Sequence, residues 1–151
     1  TRFLVLLPFI LVLAAASAPA PAAVGEIYQT DDWETEKHVP VIECPDSFVP
    51  GEMTDVLVTV GKEIPHPNTT EHHIRWIRVY FKSEGGKFAY EIANCEFTAH
   101  GASTDGADTS TIYTHHGMSV HFKTEKKGEL FATAFCNIHG LWESSKEIDV
   151  K

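Results

Sequence analysis

The chain has 151 residues, 43% of them hydrophobic and 22% charged, with nine Phe, four Tyr and three Trp; that is enough apolar side chain for one core and too much for a disordered chain. Twelve Lys and Arg face 21 Asp and Glu, a formal net charge of −9, which argues against nucleic acid or an anionic membrane surface as partner, since both are bound mainly through Lys and Arg. Three Cys cannot build a disulfide scaffold, whereas nine His are a large supply of the commonest metal-ligating side chain.

The N-terminus carries an apolar run at residues 3–16, FLVLLPFILVLAAA, behind Arg2 and ahead of a small-residue and Pro-rich stretch at 17–23. A basic start, a short apolar stretch and an A-x-A-like exit are the plan of a secretory signal peptide, and the run is shorter than the roughly 20 residues that cross a bilayer. Cleavage after Ala18 or Ala20 would leave Pro first, so the expected cut falls near Ala22 or Ala23. Residues 1–23 are thus expected to be a signal peptide, and residues 24–151 one exported domain, periplasmic or extracellular, with no membrane attachment in its mature form. Loss of Arg2 takes the formal charge from −9 to −10.

Further along, short runs of β-branched and aromatic residues alternate with turn chemistry. Val56, Val58 and Val60 alternate with Leu57 and Thr59; IRWIRVYF follows at 74–81, FAYEIANCEF at 88–97, then 111–113, 119–123 and 130–135. Pro50-Gly51, Gly85-Gly86 and the GASTDGAD stretch at 101–108 punctuate them, and no window of a dozen residues holds a 3.6-residue apolar period. About seven short strands at this spacing predict an all-β domain, an antiparallel β-sandwich.

Four His fall in three segments suited to ligation. His38 sits in E-K-H-V-P, His66 and His72 bracket H-P-N-T-T-E-H, and His139 closes C-N-I-H after Cys136. Each lies at a strand end or in a Pro-stiffened loop, where side chains converge while a sheet holds their backbones; Pro65 and Pro67 flank His66 and restrict it. A lone C-x-x-H is a weak signal and lacks the second Cys of a C-x-x-C-H haem site. Taken singly, each His reads more readily as hydrogen-bonded or solvated; taken together with Cys136, they read as a metal site. Structural zinc prefers four ligands with more sulfur, whereas five ligands of this kind, leaving one octahedral position open, suit redox-active iron. His73 is expected to point away from His72 along an extended backbone, His100 to make a local hydrogen bond, His115 and His116 to lie in a loop, and His121 to sit on a strand.

The motifs E-K-H-V-P-V-I at 36–42, G-K-E-I-P-H-P-N-T-T-E-H-H-I-R-W at 61–76, E-F-T-A-H-G at 96–101 and C-N-I-H-G-L-W-E at 136–143 resemble those of the superoxide reductases, the desulfoferrodoxin iron-binding domain family, and most closely its one-iron, neelaredoxin-like branch. No Cys precedes Trp33, so the Cys-rich second iron module of two-iron members is not expected. The resemblance implies an immunoglobulin-like β-sandwich with a mononuclear non-haem iron, cycling between Fe2+ and Fe3+. It is held by the imidazoles of His38, His66, His72 and His139 in a plane and by the Cys136 thiolate on the axis. Glu36 matches the carboxylate that takes the sixth position in the oxidised resting state, and Lys37 the cation beside the open face. The implied activity is the antioxidant one-electron reduction of superoxide to hydrogen peroxide, with iron re-reduced by a small electron donor such as rubredoxin; related one-iron proteins are often homotetramers.

His115-His116 stands where the family pattern has a Glu-Pro-like pair, and the sequon Asn68-Thr69-Thr70 lies inside the ligand loop, where glycosylation is not expected. Cys44 and Cys95 are left either as a disulfide or as free thiols. The main alternative is a cupredoxin-like exported electron-transfer protein, whose trigonal His2Cys site usually has a weak axial Met; here Met53 and Met118 are the only Met residues and neither follows Cys136. A third reading is a binding module whose loop His are incidental.

Overall fold

The structure, a computed structural model, describes residues 23–151; the signal-peptide reading lies outside the described residues. After a single 3-10 turn at Val24–Ile27 the chain forms eight strands: β1 (Pro40–Glu43), β2 (Ser47–Phe48), β3 (Thr54–Val60), β4 (Ile74–Ser83), β5 (Tyr90–Glu96), β6 (Gly117–Phe122), β7 (Gly128–Cys136) and β8 (Gly140–Val150). They make a three-stranded sheet, β1-β3-β6, and a five-stranded sheet, β2-β8-β7-β4-β5. Pairing is antiparallel throughout except for the two-residue β2, which runs parallel to β8. The fold is all-β, as expected, with one strand more than the sequence suggested.

Alternation explains how the sheets close on each other. Val56, Val58 and Val60 of β3 are fully buried while Leu57 between them is exposed, the period-2 pattern of a strand with one wet face. Across the core stand Ile77, Val79 and Phe81 of β4, whose partners in β7 are Ala134, Ala132 and Leu130. Phe122 of β6 meets Phe81 with ring centroids 4.9 Å apart and Phe48 at 6.2 Å, joining the two sheets. Each fully buried Val or Ile contributes about 1.5–3 kcal/mol, so this one layer holds the domain together.

Four segments depart from the sequence reading: the 111–113 run, and the unplaced strands β1, β2 and β8. The 111–113 run is not a strand: Ile112 is 70% exposed and only Tyr113 makes an isolated bridge, to His100, because three residues without a buried face have nothing to pack. Conversely β8, GLWESSKEIDV, hides its strand character under charge; only Trp142 and Ile148 along it are buried. Cys44, Cys95 and Cys136 are all free thiols, so of the two readings of Cys44 and Cys95 the structure has the unpaired one. Among the described residues no helix is long and apolar enough to cross a membrane.

Register sets the ends of five strands side by side. Pro40 of β1 pairs with Val60 of β3, Ile74 of β4 with Cys136 of β7, and Cys136 with Gly140 of β8. The start of β1, the β3–β4 loop and the β7–β8 turn therefore converge at one end of the sandwich, and each carries a part of the His and Cys set.

Candidate metal centre

His38 stands two residues before β1 and is 5% exposed. Its Nδ1 lies 2.5 Å from Oε1 of Glu36, which also accepts the His38 backbone N–H at 3.1 Å; the carboxylate thereby fixes the proton on Nδ1 and turns the Nε2 lone pair inward. Trp142 stacks on the ring, centroids 4.9 Å apart at 15°. Burial pushes the His38 pKa down against the opposing pull of Glu36. Burial would also raise Glu36, but hydrogen bonds from the ring and backbone of His38, with the charge of Lys37, hold its carboxyl below the usual range.

His66 is delivered by the loop after β3. Gly61 turns that loop at φ 75°, where a Cβ would overlap the backbone nitrogen of His66 and lie 2.9 Å from its Cβ. Nδ1 donates to the carbonyl of Pro67 at 2.6 Å, so Nε2 carries a lone pair, and that atom is buried without a hydrogen-bond partner. Burial takes the His66 pKa down to about 3. His72 closes the same loop, its N–H bonded to Oγ1 of Thr69 at 3.0 Å, and its pKa is also lowered, chiefly by burial and then by His139, His38 and Lys37.

Cys136 ends β7, fully buried, and its Sγ accepts the backbone N–H of His139 at 3.4 Å. Nδ1 of His139 sits 3.6 Å from that sulfur, 3.0 Å from Nε2 of His38 and 3.2 Å from Nε2 of His72. The donor atoms of His38, His72, Cys136 and His139 all lie within 4.8 Å of one another. His66 falls outside that group by donor-atom distance, yet its ring completes a circuit: His38–His66 4.8 Å, His66–His72 4.6 Å, His72–His139 4.8 Å and His139–His38 4.6 Å between centroids, with 6.0 Å across from His38 to His72. Four imidazoles stand at the corners of a quadrilateral, with a sulfur beside it.

This donor set fits a metal ion. Neutral imidazole and thiolate are the ligating forms, and a buried ring nitrogen with a lone pair and no donor is costly unless a cation meets it. Lys37, partly buried, is close enough for its charge to depress His38 and His72 and to hold down Glu36. Glu36 itself is engaged on the outer side of His38 rather than among the converging donor atoms. A cleft of about 720 Å³ lies at the opposite end of the sandwich, beside Ser83, Gly128 and Ile148, away from these groups.

The other five His serve elsewhere. His73 turns away from His72, bonding the carbonyl of Thr69 at 2.8 Å, and stacks on His100 at 3.7 Å. His100 bonds Oδ1 of Asn68 and the carbonyl of Phe97, both at 2.8 Å, the local bonding expected of it. Since Asn68 also donates to the Thr114 carbonyl at 2.9 Å, the sequon amide is held inside the fold. His121 pairs with Asp55 on the surface at 2.6 Å. His115 is exposed, but His116 is buried, with its ring 5.6 Å from His66 and its pKa lowered to about 4 by burial. Trp142 and Gly61 could not be assigned from the sequence: neither type signals a metal site, the partner of Trp142 lies far away in the chain, and Gly61, though near His66, shows its part only through the positive φ of the folded loop.

Comparison with known proteins gives one answer. The desulfoferrodoxin family profile matches residues 30–145. The chain is 55% identical over 126 residues to the neelaredoxin of Megalodesulfovibrio gigas, covering 83% of this chain and 97% of that one. It is 52% identical over 126 residues to the superoxide reductase of Pyrococcus furiosus, covering 83% and 99%. Among solved structures, the superoxide reductase (neelaredoxin) of Archaeoglobus fulgidus in the reduced form matches with a TM-score of 0.77 at 53% identity, over 82% of this chain and 99% of that one.

Proposed function

This chain belongs to the desulfoferrodoxin family, and on that premise we propose that it is a superoxide reductase, an oxidoreductase whose iron is held by His38, His66, His72, His139 and Cys136. The observation that carries this reading is the circuit of imidazole rings closed on a buried thiol, with a cation beside it. Iron bound there supplies one electron to superoxide which, with two protons, leaves as hydrogen peroxide.

The chain's own groups do the rest. Lys37 puts a positive charge at the mouth of an acidic protein, so that the substrate anion is drawn to this end, and the protons arrive through solvent ordered at its Nζ. Glu36 holds the His38 proton on Nδ1, keeping Nε2 free to ligate; by the family resemblance its carboxylate would also be available to the iron itself. Gly61 and Pro67 fix His66, and the His139 N–H orients the Cys136 sulfur. A small diatomic anion needs no deep pocket, in keeping with a centre roofed by the exposed ring of His139.

Cycling between Fe2+ and Fe3+, re-reduction by a rubredoxin-like donor, an antioxidant role, an immunoglobulin-like strand arrangement and assembly as a homotetramer belong to the same proposal and rest on the resemblance. Export, with a cut near Ala22 or Ala23, rests on the apolar run at residues 3–16. The cupredoxin-like alternative is unsupported: three imidazoles rather than two share the thiol's donor-atom group, and a fourth, His66, completes the ring circuit beside them. Metal analysis of the protein as isolated tests the reading. About one iron per chain is expected; stoichiometric copper, or no metal, would refute it.

A further inference from the structure

Asn137 occupies the second place of C-N-I-H, in the turn between β7 and β8, and is exposed. Its side-chain Oδ1 accepts the backbone N–H of His73 at 2.8 Å, its Nδ2 donates to the carbonyl of Glu71 at 2.7 Å, and its own backbone N–H donates to the carbonyl of His73 at 3.2 Å. These three bonds straddle His72, one on the residue before it and two on the residue after. We propose that Asn137 is a positioning residue that sets the His72 imidazole against Cys136 and His139, so that the two ligand-bearing segments move as one; this deepens the metal-centre reading above and rests on it.

The local backbone shows why such a clamp is needed. His72 precedes β4, whose pairing with β7 begins at Ile74–Cys136 and is irregular at once, bulged between Ile74 and Trp76, so His72 itself lies outside the ladder. Within its own loop the residue is tied to Thr69, through the Thr69 N–H to its carbonyl at 2.9 Å and Thr69 Oγ1 to its N–H at 3.0 Å. Those bonds shape the loop without reaching β7; the Ile74–Cys136 pair and the Asn137 backbone bond to His73 set the distance after His72, and what they leave open is the distance of the segment before it. Asn137 supplies that distance from the β7–β8 side, while His73, buried and stacked on His100, anchors the loop from the other.

The chemistry asks for an amide. One donor must meet a carbonyl and one acceptor must meet an N–H, and reversing the amide would set like against like at both ends, so the orientation is determined. Aspartate has the same shape but would turn an oxygen toward the Glu71 carbonyl. A ligand held in place before the metal arrives loses no further freedom on binding, and groups that support ligands in this way are typically worth about 10–100-fold in metal affinity.

The test is competition for Fe(II) between the iron-loaded full chain and ferrozine, with Asn137→Ala, Asn137→Asp and His72→Ala, alone and combined. Asn137→Ala and Asn137→Asp are each expected to weaken iron retention about tenfold, and Asn137→Ala placed on His72→Ala to add less than twofold, because the clamp acts through that ring. Should the Ala variant fail to fold, the isosteric Asp variant carries the same comparison. Parent-like retention in either variant, or the full tenfold loss persisting on His72→Ala, would overturn the clamp while leaving the centre intact. A parent protein whose iron is indifferent to His72→Ala would instead refute the centre, and the clamp with it.

Discussion

At His66 one nitrogen is committed to the Pro67 carbonyl and the other faces inward without a partner, so the proton's position is settled by the backbone before any metal binds. His38 is settled in the same way by Glu36, and what distinguishes the two is access: Glu36 and Lys37 share a partly exposed loop, whereas His66 is closed in. On the proposed reading, Lys37 delivers the substrate anion. Lys37→Ala is expected to slow the reaction with superoxide at least about tenfold at low ionic strength, within the range electrostatic steering provides, and stopped-flow measurement at low salt giving the parent rate constant would remove it from that role. Cys136→Ser is expected to abolish the thiolate-to-iron absorption of the oxidised protein; persistence of the band would place another sulfur, Cys44 or Cys95, on the metal.

Strands and loops divide the labour between holding and presenting. The buried valines of β3 and the Ile77–Ala134 and Val79–Ala132 pairs of β4 and β7 fix the frame, and the β3–β4 loop carries two imidazoles on a backbone that closes only because Gly61 has no side chain. Gly61→Ala is accordingly expected to cost more than about 1 kcal/mol, since φ 75° disfavours any Cβ, and to lower iron content, because relief comes from moving His66; urea unfolding and metal analysis at parent values would contradict this. The strands legible in the sequence were those with apolar alternation, β3 and β4 above all. The strands missed were the short β1 and β2, too brief to show a period, and β8, whose apolar residues are spaced out among charged and hydroxyl side chains, and the segment wrongly read as a strand was 111–113, whose apolar residues find no core. The side chains that converge at this end, His38, His66, His72, Cys136 and His139, were legible because their residue types and the short motifs around them are local properties. Trp142 over His38 and Asn137 across His72 were not, since each contact joins segments that only the folded register brings together.

Over the whole molecule the charges oppose the substrate, with 21 acidic against 12 basic side chains, which makes the cation at the metal-bearing end a local exception in a repelling surface. The same end carries a linked pH dependence. Burial holds His66 at a pKa of about 3 and His116 at about 4, against 6.5 for an ordinary His. Below about pH 6.5 the unfolded chain takes up protons that these rings refuse. Stability of the metal-free protein present above that pH is therefore lost as pH falls toward 4 and then 3, by up to about 1.4 kcal/mol per ring per pH unit. Urea midpoints unchanged between pH 7 and pH 4 would contradict the burial. Iron should leave over the same interval, as protons compete for the imidazoles. The most direct test of the assignment is superoxide consumption by the iron-loaded protein, followed after pulse radiolysis with and without an electron donor. One superoxide is expected to be consumed per reduced iron without a donor and turnover only when a donor is present, with hydrogen peroxide formed and no oxygen released; sustained dismutation in the absence of a donor would contradict the reductase assignment.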